Sequence, residues 1–277
     1  MRGDLGVFPR GIDPAFGASH RRGCPCCRRR RIVILRVPTP SLASFPMPAP
    51  RCLPALLLPL ILLGYPTSRA EVPAVAPDMN AYYHGADHDR WRDIFESDGR
   101  EVYDRRFEIL EALKIRPGMR IADVGAGSGL YTMLFAEAVG PGGRVFAVDI
   151  SESFVTAIAA RAAQAGLGNV LPVLSQQKST ELPPESVDLV FTSDTYHHFE
   201  YPRAMLDSIR TALVPGGILA IIDFRREPGV SNRWIPGHVR AGREEVIGEV
   251  EQAGFKLIDE PIKLRGNYFL RFRKVDG

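Results

Sequence analysis

The stretch Arg120-Ile-Ala-Asp-Val124-Gly125-Ala-Gly127-Ser-Gly129 decides the fold of this chain. Its first half is a short apolar run, suited to a strand buried on both faces. Its second half sets three glycines at alternate positions, which permits a tight turn and lets a ligand touch the backbone. Residues 130–139 follow with a helical pattern, stopped by Gly140-Pro141-Gly142-Gly143. Outward from this strand–turn–helix the alternation continues. Upstream, Val102, Phe107, Ile109, Leu110 and Leu113 predict one helix over 99–114, ended by Pro117-Gly118. Downstream, strands are predicted at 144–150, 170–174, 187–192 and 218–224, with helices at 152–165, near 203–213 and at 241–253. Two closing strands, near 255–264 and 267–274, read as a hairpin turning at Gly266-Asn267.

Strands alternating with helices across short loops imply an α/β domain: a doubly wound, mostly parallel sheet with helices on both faces and a C-terminal antiparallel hairpin. Ligands of such sheets sit at the carboxyl ends of the strands, near the point where strand order reverses. The residues that follow each strand are therefore the candidates. After the first strand come Gly125, Gly127 and Gly129; Leu130 stands where a dinucleotide fingerprint needs its third glycine, and no Gly-Lys-Ser/Thr marks a phosphate loop. After the second comes Asp149, 20 residues beyond Gly129, a carboxylate placed to accept both hydroxyl hydrogens of a ribose. Asp149 could instead cap the next helix, but Ser151 is the better-placed cap, which leaves Asp149 to bind. After the fourth comes Ser193-Asp194-Thr195-Tyr196-His197-His198-Phe199, where titratable groups either face the reacting end of a ligand or pack the loop.

Five ordered motifs together resemble the class I S-adenosylmethionine-dependent methyltransferases, within the small-molecule group that includes the ubiquinone/menaquinone methyltransferases. They are Asp123 to Gly129; Val148-Asp149-Ile150; Leu182-Pro183-Pro184-Glu185-Ser186-Val187-Asp188-Leu189-Val190; Tyr196-His197-His198-Phe199; and Leu213-Val214-Pro215-Gly216-Gly217. The resemblance covers about residues 98–275 and implies a Rossmann-like seven-stranded sheet with S-adenosylmethionine as cofactor. It implies that Asp123 and the loop through Gly129 hold the methionine part, and Asp149 with Ile150 the ribose end. An acidic residue often follows the third strand in such enzymes, near the adenine amine. Here Gln176 and Gln177 stand in that place, and a glutamine carbonyl can accept the same hydrogen bond.

Methyl transfer asks for an aligned acceptor and, for an O–H or N–H acceptor, a base. His197 and His198 are the expected bases, with Asp194 as positioner. Arg225 to Arg240 reads as a lid carrying Trp234 and His238. Ahead of the domain, Tyr82, Tyr83, His84, His88, Trp91 and Phe95 either pack an N-terminal arm onto it or line its pocket; in the second case the acceptor is flat and apolar, such as a quinone or phenol. Two rivals remain: a methyltransferase-fold binding protein without turnover, and another transferase or an oxidoreductase on the same fold.

Charge and cysteine divide the chain. The total of +3 is a sum: residues 1–70 hold eleven Arg and two Asp, net +9, and residues 71–277 net −6. The acidic remainder weakens any nucleic-acid role, so the expected partner is a small-molecule acceptor. Cys24, Cys26, Cys27 and Cys52 are the only cysteines, which excludes a Cys-ligated zinc site, a disulfide scaffold or a thiol nucleophile beyond residue 52. Gly85 interrupts the His84-x-x-x-His88 pair, and no metal is expected. Residues 1–46 read as a disordered or untranslated Arg/Pro-rich leader. Residues 47–70, with the 11-residue apolar run Leu53–Leu63 and Ser68-Arg69-Ala70, read as a signal peptide cleaved after Ala70. Ala76 is a later alternative. That leaves an arm at 71–97, a domain at 98–277, no stable membrane span in the mature chain, and an exported, periplasmic location, with the cytoplasm as alternative.

Overall fold

The structure is a computed structural model that describes residues 71–76, 79–81, 83, 87–227, 229, 231 and 233–275. Residues 1–70, where a leader and a signal peptide are expected, lie outside the described residues, as do all four cysteines, Tyr82 and His84.

The elements are α1 (His88–Phe95), α2 (Glu101–Asp104), α3 (Arg106–Ala112), β1 (Arg120–Val124), α4 (Leu130–Val139), β2 (Arg144–Asp149), α5 (Glu152–Gln164), β3 (Val170–Leu174), β4 (Val187–Ser193), α6 (Pro202–Ala212), β5 (Leu213–Phe224), α7 (Ile235–His238), α8 (Arg243–Gln252), β6 (Phe255–Asp259) and β7 (Asn267–Lys274). A 3-10 turn, Tyr196–His198, follows β4. The seven strands form one sheet in the order β3-β2-β1-β4-β5-β7-β6. β1 to β5 run parallel, and β7 runs antiparallel to both β5 and β6. β1 lies between β2 and β4, so the strand order reverses beside β1.

Period-two alternation divides the core between the two faces of the sheet. Val190, Leu219 and Ile221 join Leu206 and Ile209 of α6 and Val246 and Val250 of α8 on one face. Leu189, Phe191, Ala220 and Ile222 join Ile109 of α3, Phe135 of α4 and Ile158 of α5 on the other. Central strands covered on both faces read as near-continuous apolar runs, as Leu189-Val190-Phe191 at the middle of β4 shows, whereas Asp123 interrupts β1 beside the cavity. β3 is at the sheet edge, which is where Pro172 is tolerated and where Leu171 and Leu174 stay partly exposed.

Three expectations need correction. The helix expected over 99–114 is two short helices that break at Arg105, whose φ of −101° and ψ of 17° leave the helical region. Phe107, counted in the apolar stripe, is exposed and lies under the Arg106 guanidinium, 4.6 Å from it. β5 begins at Leu213 rather than 218, carrying Pro215-Gly216-Gly217 inside the strand, with a register shift against β4 between Val187 and Leu189. The hairpin does not turn at Gly266-Asn267. Residues 260–266 connect β6 to β7, and Asn267 is already paired with Phe224. The Glu101 carboxylate holds that connection by accepting the Arg265 and Gly266 N–H groups at 2.7 and 2.8 Å.

Candidate functional site

A cavity opens at the carboxyl ends of β1, β2 and β4, at the point of strand reversal. The glycine turn lines it through Gly125, Ala126, Gly127 and Ser128, while Gly129 does not line it and faces Ile158. Gly125, Gly127 and Gly129 take φ of 74°, 56° and 82°, the left-handed region that side chains resist. The Gly125 and Ala126 N–H groups both donate to Val148 O, which ties the turn to the end of β2. No side chain caps the N-terminus of α4, so its first amides are available to a ligand.

Asp123, the next-to-last residue of β1, is 3 % exposed and accepts a 2.6 Å hydrogen bond from Thr132 Oγ1. Burial pushes its carboxyl up to about 7, against the Thr132 hydrogen bond and with the Asp149 charge adding to the rise. Asp149 lines the same cavity. Ser151 was expected to cap α5 with its side chain, and it does not. Instead Asp149 Oδ1 accepts the Ser151 N–H and Oδ2 the Gly127 N–H, both at 2.9 Å. These two bonds fix the carboxylate against the turn, at the wall of the cavity. Ile150, Gln176 and Gln177 also line the cavity, the last two from the bend after β3 where Gln176 bridges Ser179.

At the end of β4, Ser193 Oγ is buried without a hydrogen-bond partner in the cavity wall. Asp194 takes a φ of 49° and is held from two sides: Arg100 Nη2 lies 2.5 Å from Oδ2 and Asn267 Nδ2 donates to Oδ1 at 2.7 Å. Burial raises the Asp194 carboxyl and Arg100 opposes the rise. Sequence reasoning missed both partners. Arg100 precedes a helix and Asn267 was read as a turn, and neither lies near Asp194 in the chain.

The three histidines meet beside this loop. His198 lines the cavity; His197 and His238 do not. His197 is 2 % exposed, its Nδ1 lies 2.8 Å from Asp223 Oδ1, and its backbone N–H donates to Asp223 Oδ2 at 2.9 Å. Asp223, near the end of β5, was also missed, although the rule of inspecting strand ends reaches it. Burial drives His198 down to about 2, and the other two histidines push the same way. An imidazole with so low a pKa stays neutral and takes up a proton poorly near neutral pH. Burial lowers His238 as well. Trp234 packs edge-on against Phe224 and His238, so the expected lid residues adjoin the histidine cluster rather than the cavity itself.

The N-terminal arm both packs and lines. Tyr83, Trp91 and Phe95 form a ladder with ring centroids 5.0 and 5.2 Å apart, and Phe95 continues to Phe154. Asn80, Tyr83 and Phe95 reach the cavity wall. Asn80 Nδ2 donates to His198 O at 3.0 Å and Glu200 Oε1 at 3.1 Å, which pins the arm to the loop after β4. Tyr83 OH lies 3.5 Å from His198 Nε2, and burial pushes its phenol up to about 12.

The donor set fits S-adenosylmethionine. Carboxylates at Asp123 and Asp149 suit a cationic amino acid end and a ribose diol. Uncapped α4 amides suit a carboxylate, and the orphaned Ser193 Oγ calls for a polar ligand. Residues 115–263 match the family described as Methyltransferase domain. The chain is 34 % identical over 157 residues to the nocamycin O-methyltransferase of Saccharothrix syringae, across 56 % of this chain and 55 % of that one. It is 32 % identical over 126 residues to the ubiquinone/menaquinone biosynthesis C-methyltransferase UbiE of Ectopseudomonas mendocina (strain ymp), across 45 % and 48 %. The chain thus spans about half the length of the curated relatives it matches. A solved SAM-dependent methyltransferase from Aquifex aeolicus superposes with a TM-score of 0.61 at 26 % identity, across 68 % of this chain and 99 % of that one.

Proposed function

Because the chain belongs to the class I S-adenosylmethionine-dependent methyltransferases, we propose that it transfers the cofactor's methyl group to a small acceptor with a flat, apolar face. One observation carries the proposal. The Asp149 carboxylate accepts the Gly127 N–H at 2.9 Å, which joins the ribose-binding group to the glycine turn in the same cavity as Asp123. When bound, S-adenosylmethionine supplies a methyl group on a cationic sulfur. In this proposal Asp123, Gly125, Gly127 and Gly129 hold its methionine end, Asp149 and Ile150 its ribose, and Gln176 or Gln177 its adenine amine.

The acceptor then lies against Tyr83, Phe95 and His198, which all border the cavity. His198 offers a neutral imidazole that orients an acceptor O–H or N–H by accepting its hydrogen. His197, fixed by Asp223, supports it from behind, with ring centroids 4.1 Å apart. Asp194, clamped by Arg100 and Asn267, sets the loop that carries both. The chemistry of the acceptor follows from the aromatic wall: phenols and quinols fit it better than charged metabolites.

The proposal is tested by calorimetry with S-adenosylmethionine and by label transfer from its methyl group to a panel of phenols and quinols. Binding with transfer is expected. Binding without transfer to any acceptor would support the binding-protein alternative instead. A pH series adds an internal check. Asp123 is protonated below about 7 in the ligand-free protein, and a cationic ligand favours its carboxylate. Affinity therefore rises with pH through about 7 and levels above it, and Asp123→Asn flattens the step. Without ligand the sign reverses. The raised carboxyl is ionised only in the unfolded chain between the usual carboxylate range and about 7, so ligand-free stability falls as pH rises across that window.

Export is the second part of the proposal. It rests on the basic Met47–Arg51 start, the apolar run Leu53–Leu63 and the Ser68-Arg69-Ala70 ending. Among the described residues no helix is long and apolar enough to cross a membrane. N-terminal sequencing of the native protein is expected to begin at Glu71. Retention of residues before Met47 would overturn the leader assignment.

A further inference from the structure

Three imidazoles meet behind the cavity wall, and methyl transfer does not account for the third. His197 and His198 are consecutive in the 3-10 turn after β4, and His238 ends α7. The ring centroids of His238 lie 5.1 Å from those of both His197 and His198. One ring nitrogen from each of the three lies within 4.8 Å of the others. Two further observations bear on what they do together. Asp223 engages His197 Nδ1, which leaves Nε2 as the free coordinating nitrogen and fixes the ring. His198 Nδ1 is buried with no hydrogen-bond partner, a cost that a packed aromatic cluster does not offset.

We propose that His197, His198 and His238 form a three-histidine site for a first-row divalent cation of the zinc type, with Asp223 as the carboxylate behind His197. Neutral imidazole is the ligating form. A carboxylate bonded to the far nitrogen of a ligating histidine fixes its tautomer and raises its basicity. Three histidines leave a fourth position open on such an ion. Bonds of about 2.0–2.1 Å place nitrogens about 3.3 Å apart around a tetrahedral ion, so binding draws the three inward from their 4.8 Å limit. His238 is the one able to move, because α7 is only four residues long and His197 and His198 are anchored by Asp223 and Asn80. No cysteine lies in residues 71–277 to compete. His198 is shared with the methyl-transfer proposal, and a cation on its Nδ1 leaves the proton on Nε2, which then donates to the acceptor instead of accepting from it; cation binding itself requires neither cofactor nor acceptor.

The test uses the full-length, untagged protein stripped with a chelator, then titrated with Zn2+ by calorimetry and with Co2+ by visible absorption. One equivalent per chain is expected, with the ligand-field bands of nitrogen coordination and no thiolate charge transfer. It should survive alkylation of Cys24, Cys26, Cys27 and Cys52. His238→Phe keeps a ring against His197, His198 and Trp234 but offers no nitrogen, and should lower affinity on the order of 100-fold or more. Asp223→Asn should cost on the order of 10–100-fold. Equal binding by wild type and His238→Phe would overturn the proposal. So would loss of binding on alkylation, or no stoichiometric binding at all. Retention of S-adenosylmethionine binding in His238→Phe separates failure of this site from failure of the cofactor site.

Discussion

Asp149→Ala should reduce S-adenosylmethionine affinity by on the order of 100-fold or more, which in most calorimetric titrations is no detectable binding. The side chain is 6 % exposed and does two jobs. In the proposed site it would offer a charged acceptor to a ribose diol, and hydrogen bonds to a charged group contribute about 1.5–3 kcal/mol each. Two such bonds alone reach the stated loss, because about 1.4 kcal/mol is a factor of ten. Toward the protein it accepts the Gly127 and Ser151 N–H groups, so alanine also frees the turn that would hold the methionine end. Asp149→Asn separates the two jobs. Its carbonyl keeps one of the backbone bonds, while its amide cannot accept from a diol. Asn should therefore recover thermal stability more than it recovers affinity. Affinity unchanged in Asp149→Ala would remove the ribose assignment and, with it, the observation on which the proposed function stands.

The contrast between Asp149 and Asp194 explains what could be read from the chain before its structure was known. Asp149 was found because strand periodicity, a local signal, places it at a strand end, and strand ends are where parallel sheets bind ligands. The glycine turn was legible for the same reason. The sheet itself needed little more than the counting of apolar runs between glycine and proline breaks. Asp194 was found too, but what fixes it was not. Arg100 is 94 residues away and Asn267 is 73 away. Such pairings depend on how α2 and β7 pack against the sheet, and no periodicity encodes that. Asn267 was worse than hidden, because Gly-Asn is a sound hairpin signal that the longer 260–266 connection overrides. Ser151 failed by a subtler competition: a serine before a helix is a good cap, but its side chain bonds Ser153 Oγ while its N–H goes to Asp149. The histidine cluster shows the same limit. His197 and His198 drew attention as bases, whereas the tertiary contact with His238 and Asp223 is what gives them a different chemistry.

Gly125→Ala is the second large effect, and its interest lies in having two separable causes. The first is conformational. Gly125 sits at φ 74°, where a side chain clashes with its own backbone at a cost of roughly 1–2 kcal/mol. The second is steric. A Cβ there would overlap Thr195 Cγ2 and lie 2.5 Å from Thr195 Oγ1 and 2.8 Å from Thr195 Cβ. Thr195 cannot easily turn aside, because its hydroxyl donates to Ser193 O at 2.9 Å. Nor can the glycine turn retreat, because the Gly125 N–H is bonded to Val148 O at 2.8 Å. The strain must then move either the glycine turn or the loop that leads to His197 and His198, and both border the cavity. The expected result is a lowered melting temperature together with at least about a tenfold loss of S-adenosylmethionine affinity, since a shift of 1.4 kcal/mol suffices for that. Thr195→Gly removes the overlap and leaves the φ strain untouched. Gly125→Ala should therefore cost less in the Thr195→Gly background than in the wild type, and the difference isolates the contact between the two loops. Equal costs in both backgrounds would mean that conformational strain alone opposes the substitution and that the two loops do not constrain one another. A Gly125→Ala protein that binds cofactor as tightly as wild type would mean that the ligand does not use this turn.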